Sequence, residues 1–201
     1  MIVADNFLWL HLPKTGGTTM NQIFRQLAIP GIAIDPDGER CKHDSVALRQ
    51  SRGDWLAGER TRFITARRLA AWLLSDWSHK RRHCGLPELA FEPVRHGLYY
   101  SLRLGGVWVA ADWWLRYFEV DATVKALRLE TLVDDFNALL LPLLPASTAP
   151  LEHPPKLNAA PPAESLAEVF SLQDLAVMQA VNPLWSQWEA RLYAPEPAEL
   201  D

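Results

Sequence analysis

Cysteine is scarce in this chain: Cys41 and Cys84 are the only two in 201 residues. They show no metal-ligand spacing, which excludes a disulfide framework and a Cys/His metal knuckle. Two reduced thiols in a cytoplasmic protein are the expectation. Long apolar runs are missing too, since no segment reaches the ~18 residues of a membrane helix. The first residues lack a basic flank and a long apolar core, so no signal peptide and no membrane partner are expected. There is no excess of positive charge. Lys and Arg number 20 against 24 Asp and Glu, for a net charge of −4. That argues against nucleic acid as the main partner and makes any basic site local. No internal repeat is visible. What the chain does have is 49% apolar residues, enough for one domain with a substantial core, and nine tryptophans.

One segment carries most of the information. His11-Leu12-Pro13-Lys14-Thr15-Gly16-Gly17-Thr18-Thr19 follows the apolar run Phe7-Leu8-Trp9-Leu10 and precedes the helical pattern from Met20 to Leu27. Strand, glycine turn and helix is a phosphate-binding arrangement. Glycines let successive backbone N–H groups converge on an anion. The helix start adds unsatisfied donors and the positive end of its dipole. Lys14 adds a full charge, so the segment points to a phosphorylated or sulfated ligand.

The order of these residues differs from a nucleotide-kinase loop, where glycine immediately precedes lysine and Ser/Thr follows it. Here Pro13 precedes Lys14 and both glycines come after. This order resembles the 5′-phosphosulfate loop of sulfotransferases. The resemblance implies binding of 3′-phosphoadenosine 5′-phosphosulfate through Pro13, Lys14, Thr15, Gly16, Gly17, Thr18 and Thr19. It also implies transfer of a sulfuryl group to an acceptor, without a metal. Many animal members of that family are membrane-anchored in the Golgi, so the missing anchor leads to the expectation of a soluble, bacterial protein.

Alternation of strands and helices predicts an α/β fold: a three-layer arrangement with a central parallel sheet flanked by helices, over a single domain 1–201. The resemblance implies the P-loop-NTPase-like sulfotransferase version of it. Strands are expected at 7–12, 40–43, 62–66 and 124–129, and helices at 17–28, from Asp44 or Ser45 toward Gly53, and at 68–83. Two helical pieces are expected around Gly105-Gly106. Thr131 with Asp134 predicts a capping box opening a helix 131–141, and Ser171 with Asp174 predicts another. The last helical region runs to about Tyr193 with a break near Pro183. Seven prolines between 142 and 162 predict an irregular segment. Ligands of such sheets bind at the carboxyl ends of the strands, which draws residues 13–19, the end of strand 62–66 and the region of His43 to one edge.

Arg67-Arg68 stands between a strand and a helix. Cations there oppose the helix dipole unless an anion lies between them and the helix end. Ser75 lies eight residues after Arg67, the spacing of the sulfotransferase 3′-phosphate motif. Leu69 stands where that motif commonly has proline, and Trp72 where it has a second arginine; Arg68 is the available substitute. A solvated basic pair is the other reading. Lys125 to Leu132 resembles the family's late strand followed by Glu-x-Leu. Lys156-Leu157-Asn158 resembles the segment that closes over the nucleotide, which would give Lys156 and Asn158 cofactor-binding roles; an ordinary polar loop is the alternative.

Sulfuryl transfer needs aligned oxygens and stabilised charge. Lys14 is the candidate for the leaving 5′-phosphate oxygen. His43, between Lys14 and Arg67, is the candidate base, because an ordinary imidazole is partly neutral at pH 7. His11 and Asp44 are weaker candidates. Trp108, Trp113, Trp114, Tyr117 and Phe118 form either an acceptor wall or, at their helical spacing, core. The remaining histidines, His79, His83, His96 and His153, are expected on the surface. The acceptor is a small-molecule or carbohydrate hydroxyl, or an amine. A nucleotide-dependent kinase and a non-catalytic nucleotide-binding or scaffold protein stand as alternatives.

Overall fold

In chain order the computed structural model contains β1 (Ile2–Val3), β2 (Phe7–Leu10), α1 (Gly17–Leu27), β3 (Ala33–Ile34), α2 (Val46–Ser51), β4 (Thr61–Ala66), α3 (Leu69–His83), α4 (Glu92–Arg95), β5 (Leu98–Ser101), β6 (Val107–Ala110), α5 (Asp112–Tyr117), β7 (Lys125–Arg128), α6 (Leu132–Asp135), α7 (Leu166–Val169), α8 (Leu172–Val181) and α9 (Pro183–Leu192). The structure describes residues 1–53, 60–153 and 166–194. Two compact units divide the chain, one of Met1–Arg67 and Trp114–Glu164, the other of Arg68–Trp113 and Ser165–Asp201. Among the described residues no helix is long and apolar enough to cross a membrane.

The first unit is built on a five-stranded sheet of order β3-β1-β2-β4-β7, flanked by helices. Its centre is parallel, as expected: β4 lies between β2 and β7 and runs with both. The edge departs from the expectation, because β1 runs antiparallel to β2 and to β3, so the sheet is mixed. Two-residue strands carry too little periodicity to be read from sequence. β2 reads Phe-Leu-Trp-Leu and is buried along its whole length, the pattern of a strand covered on both faces. α1 turns Met20, Ile23 and Phe24 onto one side of the sheet, the i, i+3, i+4 stripe of a helix with one buried face. There Phe24 meets Phe7 at 5.7 Å and Phe136 at 6.0 Å between ring centroids.

Two further expectations in this unit are corrected. Residues 40–43 form one turn of 3-10 helix (Arg40–His43), not a strand. Polar groups outside any ladder satisfy its carbonyls: the Met1 ammonium bonds Lys42 O, and Arg49 bonds Cys41 O. The helix expected over 131–141 is three short pieces: α6, a π-helical stretch Phe136–Leu140 and a 3-10 turn Leu141–Leu143. Pro142 explains the break, since it offers no N–H and crowds the preceding turn. Thr131 occupies the cap position of α6, but its side chain caps nothing. Beyond Leu143 the described residues carry no helix or strand as far as residue 153, as the prolines predict.

The second unit contains a correction with a clear cause. Residues 98–110 are a β-hairpin, β5 paired antiparallel with β6 from Leu98↔Ala110 to Ser101↔Val107, not two helices. Gly105 and Gly106 both adopt left-handed φ, 82° and 83°. That backbone reverses a chain and cannot continue a helix. The Ser101 hydroxyl accepts the Leu104 amide in the turn. Aromatic packing then fills the interior. Trp72 of α3 lies 5.3 Å from Tyr99 and 4.8 Å from Trp185. Asn182 separates α8 from α9. Its side chain donates to Gly97 O and Met178 O and accepts the Asp112 amide. The Asp112 carboxylate in turn accepts the amides of Leu184 (2.9 Å) and Trp185 (2.8 Å) at the start of α9. The Ser171–Asp174 capping box opens α8 as the sequence predicts.

Candidate functional site

The turn after β2 is built by three local devices. Thr15 is wholly buried, and its hydroxyl donates to Leu12 O at 2.8 Å, which pins the loop to the strand end. Lys14 takes a left-handed φ of 64°, uncommon for a residue with a side chain. Gly16, at φ 86°, is the N-cap of α1 and has no side chain with which to cap it. An N-cap glycine leaves the leading amides of the helix without an internal acceptor, as every helix start does. Lys14 is half-buried, as are Pro13, Gly16, Thr18 and Thr19.

The two glycines answer different demands. Gly16 is needed for its backbone angle. It is also crowded, because a Cβ there would stand 2.7 Å from Leu129 Cδ1. Gly17 has no positive φ but no room either: a Cβ would sit 1.7 Å from Nε2 of His11. The imidazole of His11 therefore lies flush on the first residue of α1. Leu129 comes from a distant part of the chain, and His11, though in the same segment, reaches Gly17 only because its ring folds back onto the helix start.

His11 is 3% exposed. Its ring sits 5.0 Å from Trp9 and 4.6 Å from the ring of His43, edge-on to the latter. Burial, and next the charge of His43, holds its pKa well below the ordinary 6.5. Its Nδ1 has no hydrogen-bond partner. His11 is thus a neutral packing element beneath the loop. An acid sensitivity follows. The unfolded chain takes up a proton on this residue below about pH 6.5 while the folded chain does not, so stability falls as pH falls through that value. Each such proton steepens the loss by about 1.4 kcal/mol per pH unit. Urea unfolding at pH 7.5 and 5.5 should show the decline, and His11→Phe should flatten it; an unchanged slope in the variant would assign the decline to other groups.

His43 ends the 3-10 turn. Its Nδ1 lies 2.8 Å from the His11 carbonyl oxygen. A carbonyl only accepts, so Nδ1 carries the hydrogen of the neutral ring and Nε2 carries its lone pair. The ring also faces Trp114 at 6.5 Å. Asp44 is buried and paired with Arg52 at 2.6 Å, and Ser45 is the cap of α2, accepting from Leu48 N. Between the two capping candidates the structure selects Ser45.

Arg67 lies just beyond the carboxyl end of β4. Its Nη1 donates to Lys14 O at 3.4 Å. Lys14, Arg67, His11 and His43 therefore gather at the carboxyl ends of β2 and β4, where the topology rule puts ligands. Ser75 lies on α3 in the second unit, half-buried. Lys156 and Asn158 lie outside the described residues. Trp114 and Phe118 are buried and stack at 5.5 Å, with Tyr117 at 5.2 Å from Phe118. Trp108 is a half-buried residue of β6 beside Tyr100, and Trp113 is half-buried. His83, His96 and His153 are exposed as expected; His79 is half-buried.

The start of α3 holds a residue that sequence reasoning missed. Leu69 N donates to Glu189 Oε2 at 2.7 Å, and Arg68 Nη1 lies 3.6 Å from Glu189 Oε1. The Arg68 guanidinium also lies over the Tyr193 ring at 4.2 Å. At this helix end a carboxylate of the chain itself meets Arg68 and the Leu69 amide, while Arg67 turns to the Lys14 carbonyl. Trp72, standing where the sulfotransferase motif has its second arginine, is wholly buried and belongs to the core. No protein-family model, curated protein or solved structure matches this chain.

Proposed function

We propose that this chain is a sulfotransferase of P-loop-like, three-layer architecture. It moves a sulfuryl group from 3′-phosphoadenosine 5′-phosphosulfate to a hydroxyl or amine of a small-molecule or carbohydrate acceptor. The observation that carries the reading is the turn between β2 and α1. Lys14 and Gly16 hold left-handed backbone ahead of a helix whose N-cap is glycine, and Arg67, just beyond the end of the neighbouring parallel strand, braces the Lys14 carbonyl. Such a turn suits an anionic ester, and its Pro-Lys-Thr-Gly-Gly order favours a phosphosulfate over the γ-phosphate of a kinase. Free thiols at Cys41 and Cys84 suit a cytoplasmic setting.

The donor, when bound, supplies the activated sulfuryl group. Lys14 neutralises charge as it develops on the leaving 5′-phosphate oxygen. His43 takes the acceptor proton at Nε2, the nitrogen that its bond to the His11 carbonyl leaves basic. Arg67, beside the Lys14 carbonyl, is the candidate for the 3′ end of the nucleotide.

Adenosine 3′,5′-bisphosphate tests the reading. In EDTA it should raise the melting temperature, and ATP should do much less. At 100 times its Kd it adds about 2.7 kcal/mol, roughly 5–11 °C for a chain of this size. No shift at millimolar bisphosphate would sink the proposal.

A further inference from the structure

We infer a metal site within the second unit: His79 and His83, one turn apart at the end of α3, clip a borderline divalent transition cation such as zinc and so fasten the end of that helix. The site stands apart from the nucleotide reading and uses none of its residues.

The helix sets the pair up. α3 runs Leu69–His83, so positions 79 and 83 are i, i+4 neighbours on one face. Their rings lie 5.1 Å apart between centroids, tilted by 40°. That is chelating distance. Zinc holds an imidazole nitrogen at about 2.0–2.1 Å, which puts the ring centroid about 3.2 Å from the ion. Two rings so held at a tetrahedral angle stand about 5 Å apart. His83 is exposed and His79 half-buried, so an ion reaches the pair from solvent.

Three basic residues lie between the histidines, and each is held by another group. Lys80 pairs with Asp76. Arg81 donates to Pro87 O at 2.6 Å and lies over the Trp77 ring at 4.7 Å. Arg82 donates to Ser78 O at 3.2 Å. His83 is the last residue of α3, and the carbonyls that end a helix carry partial negative charge, which favours a cation. Imidazole nitrogen selects zinc, copper or nickel over magnesium and calcium. Two histidines at this spacing also occur in the helical zinc site of metalloproteases, where a glutamate follows the first. Lys80 stands in that place here. Among the described residues no third His, Cys, Asp or Glu joins the pair. The task of the ion is therefore structural: it ties one turn of α3 to the next, with water in its remaining positions.

Calorimetric titration of zinc chloride into the full chain, in buffer free of chelators, tests this. Zinc should bind and magnesium should not. His83→Ala should weaken zinc binding by about tenfold or more, since losing even an outer partner of a metal ligand costs that much. That residue is exposed at a helix end, so the variant keeps the fold even where His79→Ala does not. Zinc at about ten times its Kd should raise the melting temperature of wild type by roughly 3–6 °C, and that of His83→Ala by much less. His96→Ala, outside the pair, should bind zinc as wild type does. No uptake at millimolar zinc, or uptake unchanged in His83→Ala, overturns the inference. Uptake lost in Cys84→Ser but kept in His83→Ala assigns the ion to the thiol and overturns it as well.

Discussion

Gly17→Ala should lower the melting temperature by roughly 6–12 °C, a large response to one methyl group. The methyl would stand 1.7 Å from Nε2 of His11 and 2.4 Å from its Cε1. The imidazole has nowhere to go. It is 3% exposed and held between the rings of Trp9 and His43. Either α1 or the ring must shift, and forced overpacking of this kind costs about 3 kcal/mol or more. Gly38→Ala is the control. That glycine has open space around its Cβ position and no left-handed φ, so its replacement should leave stability within about 0.5 kcal/mol. His11→Ala in the Gly17→Ala background should recover part of the loss, since the two changes share one contact. A Gly17→Ala protein as stable as wild type would show that the close approach is absent in solution.

The second large effect is on turnover, and it separates two roles. Lys14→Ala should lower sulfuryl transfer by about 10²–10³-fold, the usual loss of a group that stabilises charge in the transition state. Lys14→Arg should keep part of the activity, because the cation persists though its shape changes. His43→Ala should lower transfer by about 10²–10⁴-fold while bisphosphate affinity stays near wild type. Titration calorimetry beside a labelled-sulfate acceptor screen reads both quantities. Equal losses of binding and transfer in His43→Ala would remove the residue from the chemistry and leave it a scaffold for the loop.

What was legible in the sequence is what is local. The apolar run of β2, the glycine turn and the apolar stripe of α1 are contiguous, so strand, turn and helix follow from neighbours alone. The Ser171–Asp174 cap and the break at Asn182-Pro183 are legible for the same reason. The hairpin at 98–110 was misread because aromatic and apolar residues there satisfy either period, and left-handed φ at both glycines decides between them. The antiparallel edge was invisible because β1 and β3 are two residues each. At the candidate site, Lys14, His43 and Arg67 could be nominated from residue type and order. That Glu189 answers Arg68 depends on residues far apart in the chain, which no short window of sequence contains; Gly17 and His11 share one segment, but residue order alone does not show that the imidazole folds back onto the helix start.

Asn182 has a consequence for how the second unit comes apart. One side chain, completely buried, joins the amide of Asp112, the carbonyl of Gly97 and the last turn of α8. Asp112 carries the linkage on to the first amides of α9. None of these pieces can open to solvent without stranding a buried polar partner in another. The hairpin and the two C-terminal helices should therefore exchange their amide hydrogens together, as one cooperative block whose protection collapses as a whole.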